Sequence, residues 1–367
     1  SFGIMKKPVI LTLDAGGTNF NFSAIQNKQQ VGETITLPAN ADDLGKCISN
    51  LKNGFQQLFS QLDERPAAIS FAFPGPADYK NGIIGDLPNL PAFRGGVPVG
   101  PILEEEFQIP VFINNDGDLF TYGESKAGFL PWANQKLEEA GNPKRYKNLV
   151  GITLGTGFGV GISINGMLLE GDNSAAAEGW KFRNRRHPYS FVEDTISIHA
   201  LKKMYAEQIA IDPAKAPEPF EIYSIAKGEA EGVREAARET FMRYGEVLGD
   251  AMANLVTIID GLVVIGGGIA GAYPMFSGAM MDELNSSFKL LNGTKTSRII
   301  QKMYNLENER NLNEFLKTES EEIELPSGSR KVPYFETKKT AVGLSRLGTS
   351  EAITQGAYYY ALSELAK

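Results

Sequence analysis

One arrangement occurs twice in this chain: an apolar strand, a turn of glycine and threonine, and a second apolar strand running straight back. Val9 to Leu13 enters Asp14-Ala-Gly-Gly-Thr18-Asn19 and returns as Phe20 to Ile25. Leu149 to Leu154 enters Gly155-Thr-Gly-Phe-Gly159 and returns as Val160 to Ile164, where Asn165-Gly166 supplies a type I′ turn into Met167 to Glu170. The same unit in each half predicts a duplicated α/β architecture, each copy presenting a backbone anion clamp to a shared cleft. Turns without Cβ atoms let a ligand approach closely. The amides and the Thr18 hydroxyl would face phosphate oxygens, and Asp14 would hold Mg²⁺ through water. An ordinary hairpin accounts for the first turn equally well.

A third stretch carries chemistry of another kind. Val111 to Asn114 is a short apolar run that begins after Pro110 and ends in Asn115-Asp116-Gly117-Asp118. Polar groups at the carboxyl end of a buried strand lie where open α/β sheets bind ligands. Asp116 is thus a candidate general base, with Asn115 beside it to fix a substrate hydroxyl, although Asn, Asp and Gly are also common turn residues. Ala67 to Phe73 is another strand, ending in Pro74-Gly75-Pro76 and leading into a long Pro- and Gly-punctuated connection through Leu87-Pro-Asn-Leu90. Gly75 and Asn89 there are ligand contacts or plain loop residues. Glu178 would hydrogen-bond a polyol with Trp180 stacked on it, or else cap a helix beside a core Trp. The basic run Arg183 to His187 reads as a solvated loop. Leu262 to Ile265 leads into Gly266-Gly-Gly-Ile-Ala-Gly271 and a helix from Pro274. That matches the dinucleotide fingerprint G-x-G-x-x-G, and equally a triglycine letting adenine and ribose approach the backbone.

Helical periodicity covers residues 42 to 62, 192 to 205 with Glu193 at its start, 229 to 259, and a final helix 351 to 365. Residues 129 to 148 read as a solvated excursion or short surface helix, and 292 to 333 as a charged, irregular surface insertion. The expected division is a first domain of residues 1–118 with the C-terminal helix of about 351–367 packed back on it, and a larger second domain of 119–350. At 367 residues the chain has room for both. A net charge of −8 disfavours a nucleic-acid surface. With one cysteine, Cys47, and two histidines, His187 and His199, neither a disulfide nor a His/Cys zinc site is expected. No run approaches the roughly 20 apolar residues of a membrane span, and Ser1–Met5 is too short for a signal peptide. A cytoplasmic enzyme is expected.

Taken together and in order, these residues resemble the ROK family of sugar kinases and sugar-responsive repressors, in the hexokinase–actin superfamily. Asp14-Ala-Gly-Gly-Thr18 is similar to its first phosphate motif, Leu154-Gly-Thr-Gly157 to its second, and Ile265-Gly-Gly-Gly268 to its adenosine motif. Pro74-Gly-Pro76, Pro88-Asn-Leu-Pro91, Asn115-Asp-Gly-Asp118, Glu178, Glu193 and Ser345-Arg-Leu-Gly348 resemble its sugar side. The resemblance implies a duplicated, ribonuclease-H-like two-domain fold with MgATP and sugar in the cleft between the halves. It implies Asp116 as base, Asn89, Asn115, Glu178 and Glu193 as sugar-hydroxyl ligands, and Gly75 lining the sugar pocket. Asp14, Gly16, Gly17, Thr18, Gly155, Thr156 and Gly157 would serve Mg²⁺ and the phosphates, with Gly267 and Gly268 near the nucleoside. A homodimer or homotetramer is implied as well. One departure stands out: many members have Glu-x-Gly-His and then a zinc-holding cysteine cluster, whereas here Glu178-Gly-Trp-Lys181 has a lysine where the histidine falls and no cysteine downstream, so no zinc is expected.

The expected reaction is transfer of the ATP γ-phosphoryl group to a hexose hydroxyl, most simply the 6-OH of glucose, with closure of the two halves excluding water. The alternatives are a non-catalytic sugar sensor and a ROK-type regulator lacking its DNA-binding domain, since only 13 residues precede Asp14. A dinucleotide oxidoreductase rests on Gly266 to Gly271 alone. N-acetylglucosamine, N-acetylmannosamine, fructose and mannose stay open beside glucose.

Overall fold

A computed structural model describes residues 6–367, and the reading of Ser1–Met5 falls outside them. The chain divides into two compact units. The residues up to Gly128, Met167–Ala176 and Leu347–Lys367 form the first, and Phe129–Gly166 with Ala177–Arg346 the second.

In the first unit, β1 (Ile10–Ala15) and β2 (Asn19–Gln26) form the expected hairpin, with Asp14 opposite Asn21. A third strand, β3 (Gln29–Pro38), extends it antiparallel. Sequence reading passed over this strand because its outward positions are polar and only Val31, Ile35 and Leu37 pack inward. Helix α1 (Leu44–Gln61) starts where the Asp43 carboxylate accepts from the Lys46 amide (3.0 Å). Its stripe of Cys47, Leu51, Phe55 and Leu58 is buried, and burial pushes the Cys47 thiol up to about 11, so it is packing rather than a nucleophile. Then come β4 (Ala68–Ala72), the two-residue strands β5 (Ala77–Asp78) and β6 (Ile83–Ile84), α2 (Val99–Phe107), β7 (Val111–Asn114) and α3 (Asp116–Ala127).

The strand order is β3-β2-β1-β4-β7, with β1, β4 and β7 mutually parallel. Leu11 and Leu13 point to the α1 side, where Phe22 and Phe55 meet edge-to-face at 4.9 Å. Ile10 and Ile25 point to the opposite face, which Tyr358 and Ala361 of α10 (Thr349–Leu365) cover. The two-residue period of a strand thus supplies both cores of a three-layer unit.

Helices α3 and α10 cross with their backbones nearly touching. A Cβ on Gly123 would lie 1.9 Å from the Ala352 carbonyl oxygen, and one on Gly356 would lie 1.9 Å from that of Leu119. Only hydrogen fits at either point.

The second unit begins with α4 (Phe129–Glu139). It buries Phe129, Leu130, Ala133 and Leu137, and so is a packed helix rather than a solvated excursion. β8 (Leu149–Leu154) and β9 (Phe158–Ile164) make the second hairpin, and Asn165 and Gly166 take the positive φ (51° and 76°) of a type I′ turn. The two-residue strand β10 (Met167–Leu168) comes next, within the first unit. After α5 (Ile198–Gln208), α6 (Pro219–Lys227) and α7 (Arg234–Ile259) come β11 (Leu262–Gly266) and α8 (Tyr273–Leu284).

The stretch read as an irregular insertion is structured. It holds a hairpin of β12 (Ser287–Lys289) and β13 (Lys295–Ser297), then β14 (Lys302–Asn305), α9 (Glu309–Leu316) and a second hairpin of β15 (Glu321–Glu324) and β16 (Lys331–Tyr334). β17 (Lys339–Leu344) completes a sheet in which β9, β8, β11, β17 and β14 are successive neighbours and the last four are parallel. Each unit therefore has a hairpin whose first strand starts a parallel run, the duplication expected from the repeat and the ribonuclease-H-like pattern implied by the family resemblance.

The close crossing yields a stability prediction. Gly123→Ala and Gly356→Ala should each lower unfolding free energy by at least about 2 kcal/mol in urea titrations, since overpacking against backbone has no side chain to yield. Gly278→Ala, on an exposed part of α8 with open space around it, should instead stabilise by about 0.5–1 kcal/mol.

Candidate active site

In the first unit three strands run parallel, so their carboxyl ends share one edge of the sheet. β1 ends at Asp14 and Ala15, β4 leads through Phe73 to Gly75, and β7 leads to Asn115 and Asp116. Asn115 is the N-cap of α3: its side-chain oxygen accepts from the Asp118 amide (2.7 Å) while its Nδ2 donates to Asp118 Oδ2 (3.1 Å). The local sequence Asn-Asp-Gly-Asp is thus a helix start, and it fixes Asp116 as the first helical residue. Asp116 keeps an exposed face, yet burial and then the Asp14 carboxylate raise its pKa above the ordinary carboxylate value. The neighbouring charge is a direct consequence of the strand order, whereas the helix N-terminus pulls the other way.

Gly16 closes the first turn by donating to the Asn19 carbonyl (3.1 Å), and the Thr18 carbonyl accepts from Ala39. Asp14, Gly16, Gly17 and Thr18 are all exposed, and a Cβ on Gly17 would meet nothing within 4 Å. That glycine is not required by internal packing; open space beside a row of amides suits an incoming phosphate. Gly75 is hemmed in by Tyr79, whose hydroxyl donates to the Phe73 carbonyl (2.9 Å). Asn89 is exposed between the buried Leu87 and Leu90, which anchor its loop in the core.

The second unit repeats the edge logic. β8 ends in Gly155-Thr156-Gly157, where the Gly155 amide donates to the Gly157 carbonyl (3.2 Å) and the Gly155 carbonyl accepts from Ile198 (3.0 Å). A Cβ on Gly155 or on Gly268 would also meet nothing within 4 Å. Gly267 is different: its φ is +92° and a Cβ there would sit 2.4 Å from the Leu154 carbonyl oxygen, so it locks the triglycine against β8.

Two sequence expectations change here. Glu193 does not start a long helix: it lies in a 3₁₀ turn, Val192–Asp194, and α5 starts afresh after its Ser197 cap. From that turn its Oε2 accepts from the Phe158 amide (3.0 Å), directly behind Gly157, whose added Cβ would lie 2.9 Å from the same oxygen. Nor is Arg183 to His187 merely a solvated loop. Arg185 pairs with Glu246 and Glu283, and Arg186 with Glu246 (2.8 Å), tying the segment to α7 and α8.

Glu178 is exposed and precedes a 3₁₀ turn, Gly179–Lys181, but its side chain makes no capping hydrogen bond and accepts from the Trp180 indole instead. Trp180 meets Phe191 edge-on at 5.7 Å, and Lys181 lies 4.6 Å from its ring centroid. What orders this loop is Asn184, which sequence reading missed. Fully buried, it donates from Nδ2 to the Phe191 carbonyl (3.2 Å) and Thr195 Oγ1 (2.8 Å), and its Oδ1 accepts from the amides of Arg186 (2.9 Å) and His187 (3.2 Å). An amide offers two donors and two acceptor sites, and all four are used. No sequence cue separates it from any other loop asparagine. Among the described residues no cluster of three or more His, Cys, Asp or Glu could hold a metal ion, and none of their helices is long and apolar enough to cross a membrane.

Each unit ends its parallel strands in glycine turns, and the first adds a carboxylate at a helix start; similarity to known proteins says which α/β family this is. The ROK family model matches residues 10–308, and the chain belongs to the ROK family. It is 48% identical to a glucokinase from Parabacteroides distasonis of known structure, with 99% of each chain covered and a TM-score of 0.88. A glucokinase from Thermotoga maritima is 26% identical, covering 76% of this chain and 88% of that one. An N-acetyl-D-glucosamine kinase from Photobacterium profundum is also 26% identical, covering 70% and 83% respectively.

Replacing Asn184 by Ala should cost about 3 kcal/mol, because the amides and carbonyl it serves are left without partners. In hydrogen exchange, protection of the Arg186 and His187 amides should be lost before that of α7.

Proposed function

We propose that this chain transfers the γ-phosphoryl group of MgATP to a hydroxyl of a free hexose, with the 6-OH of glucose as first choice. The observation that carries the reading is the Asp116 carboxylate, fixed at the first position of α3, on the same sheet edge as Asp14, with its pKa raised. A raised carboxylate, once ionised, is a better proton acceptor than an ordinary one. The 48% identity to a glucokinase supports glucose; the N-acetylglucosamine kinases among the relatives make that sugar the principal competitor.

In the proposed reaction Asp116 takes the proton from the sugar hydroxyl as its oxygen bonds to the γ-phosphorus. The bond from that phosphorus to the bridging oxygen breaks, and ADP leaves. Asn115 and Asn89 orient the sugar, with Gly75 behind it, and Glu178 and Glu193 are assigned further sugar hydroxyls. Glu193 would use the oxygen not engaged by Phe158. The amides around Gly16, Gly17 and Thr18, and around Gly155, Thr156 and Gly157, hold phosphate oxygens, and Gly267 and Gly268 lie by the nucleoside. Asp14, exposed at the end of its strand, fits a water-mediated Mg²⁺ site; the ion would neutralise charge developing on the phosphates. Phosphoryl transfer asks mainly for such alignment and charge stabilisation.

Coupled ADP-release assays across glucose, N-acetylglucosamine, N-acetylmannosamine, fructose and mannose test the reading, with the highest kcat/KM expected for glucose. Asp116→Asn should lower kcat by about 10²-fold or more while sugar affinity changes by less than about threefold. Turnover within a few-fold of wild type would remove Asp116 from the role. The pH profile supplies an independent check. The base must be ionised, so kcat/KM should fall as pH drops through the raised Asp116 pKa, on a limb above the usual carboxylate value of about 4. Asp14→Asn removes a like charge and should shift that limb to lower pH, whatever it does to the maximal rate.

A further inference from the structure

The edge of the second sheet remote from the glycine turns holds a cavity of about 750 Å³. Lys147 and Asn148 immediately precede β8, Asp260 comes just before β11, and Lys338 immediately precedes β17; all line it. These are the amino ends of parallel strands whose carboxyl ends carry Gly155, Gly266 and Ser345. Strands of five and six residues at about 3.3 Å each set the two edges roughly 15–20 Å apart. The cavity therefore belongs to none of the residues assigned above.

Its charge runs against that of the chain. In a protein of net charge −8, six of its lining residues are Lys or Arg and two are acidic. Both acids are engaged: Asp260 Oδ1 accepts from Gln301 (2.7 Å), and Glu319 faces Lys339 at 3.7 Å. Lys317 pairs with Glu314 at 2.8 Å. That leaves Lys144, Arg145, Lys147 and Lys338 with no carboxylate within salt-bridge distance among the described residues.

The walls are built, not frayed. Arg145 Nη1 donates to the carbonyls of Asn142 (2.7 Å) and Lys144 (2.8 Å), which holds the guanidinium in place. Asn142, itself buried, donates to the Leu316 carbonyl at the end of α9 (3.1 Å) and accepts from the Lys144 amide (3.0 Å). Tyr146 packs on Phe315 at 5.6 Å, and its hydroxyl donates to the Lys339 carbonyl (2.7 Å). The segment read as an insertion thus contributes Phe315 and the residues after it as one wall.

We propose that this cavity is a binding site for a small phosphate-bearing anion, distinct from the nucleotide and sugar residues. Several cations focused in a partly apolar recess favour an ion carrying two or more negative charges. A fixed guanidinium beside lysines matches phosphate oxygens. The inference does not depend on the proposed kinase activity, since it rests on a separate edge of the sheet.

Isothermal titration of the full chain with inorganic triphosphate, and separately with glucose 6-phosphate, at constant ionic strength and without Mg²⁺, tests it. Lys147→Glu/Lys338→Glu should weaken binding of at least one probe tenfold or more and remove one binding stoichiometry. Lys46→Glu/Lys52→Glu on α1 makes the same change in net charge and should leave that binding within twofold. A response to triphosphate alone assigns the anhydride, and one to the sugar phosphate assigns the ester. Equal weakening in both double variants would reduce the effect to overall charge and overturn the site, as would wild-type affinity in the cavity variant. If the double reversal does not fold, Lys147→Gln should still weaken binding about threefold, and no change there counts against the site equally.

Discussion

Helices α3 and α10 touch backbone to backbone at Gly123 and Gly356, and the first unit is arranged around that contact. The crossing holds α3 against the sheet through Leu119, Ala72 and Ala357. A helix held so closely cannot shift along its axis without driving carbonyls into one another. Its first turn, where Asn115 caps and Asp116 stands, is therefore set by a contact two turns further along the helix. The proposed base owes its position to packing that involves no ligand at all. Dispersion and steric exclusion supply the rigidity, and the cap and the strand end supply the aim.

The second unit solves a similar problem with polar groups. In the run from Glu178 to Thr195 only Gly179, Asn184, Val192 and Thr195 are buried, and the family resemblance leads one to expect a histidine where this chain has Lys181 and cysteine ligands where it has none. Asn184 uses all four of its hydrogen-bonding sites to fold the loop upon itself, and Arg185 and Arg186 fasten it to α7 and α8. The 3₁₀ turn carrying Glu193 hangs from this scaffold and meets the second glycine turn at the Phe158 amide. Fully satisfied buried networks specify one geometry, because every alternative leaves a desolvated group unpaired. The carboxylate that the family resemblance assigns to a sugar hydroxyl here braces the second glycine turn.

Electrostatics divides the molecule further. Two carboxylates, Asp14 and Asp116, share one edge of the first sheet, where burial and then the Asp14 charge raise the proton affinity of Asp116. In the second unit the remote edge gathers lysine and arginine while the chain as a whole is acidic. Net charge describes what a protein repels at a distance. The local field at a recess is decided by which few side chains the topology collects.

The strand–glycine–strand repeats, the stripe of α1 and the Asn-Gly turn were legible in the sequence because each is a local pattern: period two, period 3.6, or a φ that glycine and asparagine tolerate. Asp116 stood out as a candidate because its apolar run stops in carboxylates and amides, a pattern shared by turns and ligand-facing strand ends, and the structure makes it the first residue of α3. β3 escaped notice because an edge strand with a polar outer face resembles a loop, and β14 because its buried Met303 and Tyr304 lie within charged neighbours. The helix break before Ser197, the role of Asn184 and the cavity lined by Tyr146 and Phe315 have no local signature. The sequence by itself determined the class of fold and nominated the candidate site residues, since both readings depend on periodicity and residue type. Which side chains meet, how close two helices come, and where opposite charges fail to cancel were decided only by the tertiary structure, because each depends on atoms far apart along the chain.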